Sequence, residues 1–495
     1  MRIRGKLSCF TLLFISLLMF LGPLSCYTQH PGQTRITIFH INDMHAKIDN
    51  LAKVAWLIKE EKKKNPNTFF VSAGDNFSGN PVVDQYEPKG EPVRWLYSAI
   101  GLDVLALGNH EFDYGQESLK RFMTDTPFRV ICANLETSGQ AVIPQPAPYT
   151  IVETADKVKL AFLGLVQVEP DTGQPGTHPA RLGGLTFHDP LQIAAKYSSL
   201  RDQCQVVIAL THLGYETDRK LAGKTGFLDI IIGGHTHTVI KNPAPVNGVL
   251  IAQAGSQARY LGRIDITLTD GKITGKRGLL VDLSTIAGED ADIKKKIAAF
   301  NDNPYLEKKV TTLAQPLKGQ AIIGHLVVDA MRSVHRLDIA LHNQGGIRAD
   351  RLAKEVKLKA IYTILPFGDY AVQFNLSPEE IRSLLQNTFE RMGRLDLYVS
   401  GITYTISYAA GSKVTGIELR DLSGRPLDES RTFRVGMNDY MASSDTYAFT
   451  HKDPGKSLDA TVAATLVQYL QVGQDVMRDL DRPRMQTRLV PGKKK

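Results

Sequence analysis

The run Phe69-Phe70-Val71-Ser72-Ala73-Gly74-Asp75-Asn76 joins an apolar stretch to a glycine and a carboxylate. An unbroken apolar stretch of this length is what a strand buried on both faces looks like. Gly74 permits a tight turn where the strand leaves its sheet, and that turn exposes Asp75 at the strand end. The same arrangement recurs on both sides. Residues 36–40, 104–107, 130–133, 160–165, 206–210, 230–232 and 249–252 are further short apolar runs. Ahead of Phe69, the residues Leu51, Val54, Ala55 and Ile58 keep helical spacing. Val93, Leu96, Tyr97 and Ile100 do the same before residue 104, with Pro92 near the start and Gly101 at the end. Alternating strands and helices from about Thr34 to Leu283 predict an α/β domain.

Four more strand ends carry residues of the Asp75 kind. They are His40-Ile41-Asn42-Asp43-Met44-His45, Gly108-Asn109-His110-Glu111-Phe112-Asp113, Thr211-His212 and Gly233-Gly234-His235-Thr236-His237. In an extended segment residues i and i+2 face the same way, so Asp43 and His45 can address one ion. Read singly, each block has a bland explanation: an Asp-x-His surface pair, a hydrogen-bonded core histidine at 212, a capped turn at 109–110. Their joint occurrence in this order points to a metal site. Carboxylate, imidazole and amide ligands suit Zn, Mn, Fe or Co, and nothing supports a cysteine-based structural zinc.

These ordered blocks resemble the calcineurin-like metallophosphoesterases, and the longer pattern resembles the 5′-nucleotidase/UDP-sugar hydrolase family. The stretches from Gly74 to Asn80 and from Leu107 to Gly115 are particularly similar to that family. The resemblance implies a four-layer α/β sandwich joined to a smaller C-terminal α/β substrate-binding domain. It implies that Asp43, His45 and His237 hold one divalent ion, that Asn109, His212 and His235 hold another, and that Asp75 bridges them. Ions in such pairs sit roughly 3.5–4 Å apart and activate water for in-line attack on phosphorus. His110, by the same resemblance, stabilises developing charge or assists the leaving oxygen, with Asp113 orienting it. Glu111 reads as a structural support.

The substrate end lies in residues 313–488. Asn343-Gln344-Gly345-Gly346-Ile347-Arg348 follows the apolar run 339–341 and is similar to the family's Asn…Gly-Gly-Ile-Arg block. The resemblance gives Arg348 the phosphate and Asn343 the base. It makes Phe367 and Tyr440 two plates of a base-stacking clamp and Asp445 the ribose ligand. The pattern departs from the family in three places. Ser443-Ser444-Asp445 stands where Gly-Gly-Asp is usual, Asp369 stands where Asn is frequent, and Lys318-Gly319-Gln320 replaces a stretch that often supplies another arginine. Residues 378–390 read as a helix, and 403–408 and 432–436 as strands.

The remaining sequence bounds location and domain count. At 495 residues, 43% hydrophobic and 22% charged, the chain is expected to fold as two domains. Residues 1–25, with Arg2, Arg4 and Lys6 ahead of an apolar run, read as an export signal, and Leu24-Ser25-Cys26 is similar to a bacterial lipobox despite Pro23. The chain is therefore expected in the periplasm, or anchored in the bacterial envelope through Cys26. Residues 34–288 form the metal domain, 289–312 a charged linker helix, 313–488 the second domain and 489–495 a basic tail. Removing the signal's three cations lowers the formal charge from +8 to +5, and no basic-aromatic stripe suggests nucleic acid as a partner. Of the remaining cysteines, Cys132 reads as a buried free thiol, and spacing alone does not pair it with Cys204. The expected activity is release of 5′-phosphate from nucleotides. A 2′,3′-cyclic phosphodiesterase/3′-nucleotidase, a nucleotide-sugar pyrophosphatase and a non-catalytic binding protein stay open, as does the oligomeric state.

Overall fold

Two six-stranded sheets lie face to face across a purely apolar interior in the computed structural model, which describes residues 32–170, 172–449, 451–473 and 479–490. One sheet runs Lys272–Asp282, Tyr260–Thr269, Gln33–Ile41, Thr68–Ser72, Val104–Ala106, Arg129–Ile131. The other runs Pro245–Val246, Val249–Ala252, Ile230–Ile232, Val206–His212, Lys159–Val166, Tyr149–Glu153. Ile38, Val71 and Val104 of the first meet Phe162, Ile208 and Ile230 of the second, all fully buried. Helices cover the outer faces. Leu51–Lys62 and Glu91–Ile100 pack on the first sheet, and Tyr215–Lys224 packs on the second. This is the expected four-layer sandwich. Strands buried on both faces need apolar side chains at successive positions, which is why the runs are continuous rather than alternating.

The second domain is built on a five-stranded sheet in the order Leu397–Ser400, Ile339–Asn343, Phe433–Asn438, Tyr370–Leu376, Lys456–Thr461. Helices Gln320–Val334 and Val462–Gln471 cover one face. Helix Pro378–Met392 covers the other, beside a smaller sheet of Val414–Asp421, Ile402–Tyr408 and Met485–Leu489. Its N-terminus is fixed by a reciprocal cap, in which the Ser377 hydroxyl accepts from the Glu380 amide while Glu380 accepts from Ser377.

Two features differ from the sequence reading. The helix expected to connect the domains, Ala291–Asn301, belongs to the first core: Ile293, Ile297 and Phe300 are buried there with Ala55 and Ile58. Those three positions share one face of the helix, and the lysines between them drew the reading toward a solvated linker. The chain enters the second domain only beyond it, where Lys309–Thr312 pairs with Glu355–Lys357. The second feature is the long hairpin of Tyr260–Thr269 and Lys272–Asp282, which turns at Asp270-Gly271 with both residues at positive φ. An Asp-Gly turn suits such a hairpin.

The export signal, Cys26 and the terminal lysines lie outside the described residues. Among those described, no helix is long and apolar enough to cross a membrane, and Cys132 and Cys204 are both buried and free.

Candidate active site

Every block singled out as metal-binding stands at the carboxyl end of a strand, and the two sheets bring these ends to one place. Asp43 follows Gln33–Ile41, Asp75 follows Thr68–Ser72, Asn109 follows Val104–Ala106, His212 ends Val206–His212, and His235 follows Ile230–Ile232. The local backbone is strained to aim them. Asp43, His45, Asp75, His235 and His237 all hold φ between +48° and +79°, which costs a non-glycine residue on the order of 1 kcal/mol or more. The neighbouring glycines allow close approach. A Cβ on Gly74 would lie 2.6 Å from the Gly108 nitrogen, and one on Gly234 would lie 2.7 Å from His212 Nδ1.

The side chains form overlapping donor sets. Asp43, His45 and His237 converge in one, and Asp75, His212 and His235 in another. His237 Nε2 is 3.4 Å from Asp43 Oδ1, and His212 Nε2 is 2.9 Å from Asp75 Oδ2 and 3.8 Å from Asp43 Oδ1. Asn109 Oδ1 stands 3.2 Å from His235 Nδ1, which adds an amide oxygen to the second set. Asp75 also joins His45 and His110 in a third grouping, so its carboxylate sits between the others.

Three observations fit divalent cations. His212 Nδ1 lies 2.8 Å from the Ala73 carbonyl, to which it donates, so the fully buried Nε2, 2.9 Å from Asp75 Oδ2, is the nitrogen turned toward the carboxylates. His45 Nδ1 likewise donates to the Ser78 carbonyl at 3.1 Å, and its Nε2 faces His237 Nε2 at 3.0 Å. Fixing the tautomer through the other ring nitrogen is how metal-binding histidines are prepared. The electrostatics agree. Burial works to lower the His212 pKa, yet Asp75 and Asp43 outweigh it and push it up to about 10, so the carboxylates favour positive charge. Burial and the His110 charge take His45 down to about 3, and burial and the His212 charge take His235 down to about 4, so both rings are neutral bases at neutral pH.

Glu111 braces the floor of the site. Fully buried, it accepts hydrogen bonds from the amides of Asp75, Asn76 and Gly108 and from Asn76 Nδ2, binding two strand ends together.

His110 and Asp113 sit beside this centre, joined by a 2.6 Å contact between Nδ1 and Oδ2. Burial works against charge on the His110 ring, but Asp113 and Asp75 raise its pKa above the ordinary value. Burial likewise opposes ionisation of Asp113, whose pKa His110 and Arg181 nonetheless hold down to about 2. The pair opens onto a cleft of about 190 Å³ between the domains. Asn343, Arg348, Phe367 and Tyr440 line its far side. Phe367 stacks near-parallel on His110, and the Arg348 guanidinium stands 5.6 Å from the Phe367 ring centroid. Asn438 Nδ2 donates to both Asn343 Oδ1 and Asp369 Oδ2, at 3.1 and 3.0 Å. The Asp445 side chain lies outside the described residues, and Lys318 is exposed at the end of its strand.

Two family models match the chain: calcineurin-like phosphoesterase over residues 36–239, and 5′-nucleotidase, C-terminal domain, over residues 297–451. A 5′-nucleotidase of Diplobatis ommata is 26% identical over 82% of this chain and 82% of its own length. The crystal structure of a 5′-nucleotidase precursor from Thermus thermophilus superposes with a TM-score of 0.78 at 26% identity, covering 92% of this chain and all of that one. The chain belongs to the 5′-nucleotidase family, with a calcineurin-like phosphoesterase domain at its N-terminal side. Its members are metal-dependent phosphoesterases, and this chain is one of them. Within this family substrates differ. A trifunctional nucleotide phosphoesterase of Bacillus subtilis is 26% identical over 86% of this chain, which spans only 33% of that protein's length.

The part of this 5′-nucleotidase-family site that sequence reading missed is the irregular loop carrying Gly176, Thr177, His178 and Arg181. It lines the cleft from the metal-domain side. Thr177 Oγ1 donates to Asp113 Oδ1 at 2.8 Å, and Asn109 Nδ2 donates to the Gly176 carbonyl at 2.9 Å. No periodicity or motif marks the loop; its one weak sign is a threonine, a histidine and an arginine among glycines and prolines.

Proposed function

We propose that this chain is an exported, two-metal 5′-nucleotidase that releases inorganic phosphate from nucleoside 5′-monophosphates. The observation that carries the reading is the single cleft shared by the His110–Asp113 pair and the Arg348 and Phe367 side chains. Asp43, His45 and His237 would hold one divalent ion, and Asn109, His212 and His235 the other, with Asp75 common to both. Ions of the Zn, Mn, Co or Fe class would supply an activated water and neutralise charge on the phosphoryl oxygens. Arg348, a planar and permanently charged fork, grips the phosphate. Phe367 and Tyr440 hold the base between them, and Asn343, fixed by Asn438, reads its edge. Asp445 is assigned to the ribose. His110 stands as an imidazolium beside the phosphate, its proton kept on Nδ1 by Asp113, and stabilises the charge that builds on the phosphoryl group.

The domain assignment follows the packing: metal domain to residue 301, a short connection over 302–308, then the substrate domain. Export rests on residues 1–25, and anchoring on acylation of Cys26. Asp369 supports keeping a second reading, hydrolysis of cyclic nucleotides or nucleotide sugars, because it puts a carboxylate beside Asn343 where an amide is frequent in the family.

Purified protein, stripped by chelation and reloaded with Mn, Co or Zn, should release phosphate from AMP and UMP, and His110→Ala should lose this activity. Turnover of only 2′,3′-cyclic AMP, 3′-AMP or UDP-glucose would replace the substrate assignment by the second reading. No turnover of any of them would favour a binding protein.

A further inference from the structure

Arg181 stands where the two domains and the His110–Asp113 pair meet. Its Nη1 lies 3.3 Å from Asp113 Oδ1, and its Nη2 donates to the Phe367 carbonyl at 3.1 Å. The first contact is to the metal domain, the second to the substrate domain. Asp113 divides its two oxygens accordingly: Oδ2 holds His110 Nδ1, while Oδ1 receives Thr177 and Arg181. The same loop reaches the substrate domain through two more of its residues, Glu169 and His178. The Thr446 hydroxyl donates to Glu169 Oε2 at 3.1 Å, and His178 Nε2 lies 3.6 Å from Asp439 Oδ2.

We propose that Arg181 is a positioning residue that makes the alignment of the His110–Asp113 pair depend on the seating of the Phe367 segment against the metal domain. The inference rests on the role given above to His110 and Asp113. A guanidinium is planar and presents separate donors in fixed directions, so it bonds two acceptors on different bodies at once. When Phe367 is seated, both ends are satisfied and the Asp113 carboxylate is held in one plane. When the substrate domain moves away, the guanidinium loses one anchor and Asp113 loses a fixed partner. The reactive pair is then fully aligned only while the element that carries the base clamp is in place. A lysine, with one compact charge on a flexible stem, can neutralise Asp113 but cannot span both acceptors.

The test combines a double-mutant cycle with hydrogen exchange on the full-length, Mn-loaded protein. Hydrolysis of p-nitrophenyl phosphate, which does not need the nucleoside pocket, is measured for Arg181→Met, Asp113→Asn, the double variant and Arg181→Lys. Arg181→Met is expected to lower kcat on the order of tenfold with little change in KM, the scale of losing a partner that orients a site histidine. In the Asp113→Asn background the same change is expected to cost less than about twofold, because it acts through Asp113. Exchange at the amides of residues 110–115 and of 364–370 should quicken together in Arg181→Met. Arg181→Lys should restore part of the rate but none of the protection at 364–370. Additive effects in the cycle would overturn the proposal, and so would faster exchange confined to 110–115. If His110→Ala and Asp113→Asn themselves leave the rate unchanged, the reading of that pair fails instead.

Discussion

The rings of His110 and Phe367 lie nearly parallel, 13° apart, with their centroids separated by 5.7 Å. One residue belongs to the metal domain and the other to the substrate domain, so the stack marks where chemistry and recognition meet. On the function proposed above, a base entering the clamp would use the Phe367 face while its phosphate lay toward His110. Phe367→Ala should therefore raise KM for AMP about 5- to 150-fold, from the roughly 1–3 kcal/mol of a base–aromatic stack. Hydrolysis of p-nitrophenyl phosphate by the same variant should stay within about twofold of wild type. Equal losses on both substrates would mean that Phe367 supports the reactive pair rather than the base.

The donor sets predict a difference between two ligand substitutions. Asp75 is shared, whereas His237 belongs to one set and is its most exposed member. By elemental analysis after dialysis, His237→Ala should keep close to one ion per chain and Asp75→Asn close to none, with activity lowered more than about 100-fold in each. Two ions retained by Asp75→Asn would remove the bridging role.

Helix Ala291–Asn301 offers a test of the domain boundary. Ile297 is buried in the metal-domain core, so Ile297→Ala should destabilise that domain by about 2–4 kcal/mol. Calorimetry should show the transition of the metal domain moving down, with the other nearly fixed. A variant that left both transitions in place would return the helix to the linker.

Asp369 gives a pH dependence with a definite sign. Burial, reinforced by the charge of Asp439, pushes its pKa up to about 6. A carboxyl whose pKa is raised by folding prefers its proton in the folded state. It therefore favours folding most below its ordinary pKa, and this contribution is lost as pH rises from about 4 through about 6. Asp369→Asn, which removes the charge and keeps the shape, should stabilise the protein at pH 7.5 by on the order of 1–3 kcal/mol, and the gain should vanish near pH 4. Denaturation curves at the two pH values decide it, and a gain that is the same at both would exclude titration of Asp369 as the cause.

How much of this was legible in the sequence depends on how locally each feature is encoded. The buried strands were visible because burial on both faces demands consecutive apolar residues, and the metal-ligating candidates were visible because each stands directly after such a run. The Tyr260–Asp282 hairpin was harder to see. Tyr260–Thr269 is buried at alternate positions, so polar residues interrupt it, although Asp270-Gly271 was a usable sign. The role of Arg181 could not be read at all, because its two partners lie 68 and 186 positions away in the chain.

The left-handed backbone at Asp43, His45, Asp75, His235 and His237 has a bearing on how the protein can change over generations. Glycine would relax each of these positions, so the substitutions that ease the fold most cheaply are the ones that strip the donors. Heat tolerance and chemistry pull in opposite directions here. A population screened for survival at high temperature alone should accumulate silent, robust chains, and only continued demand for turnover keeps aspartate and histidine in place.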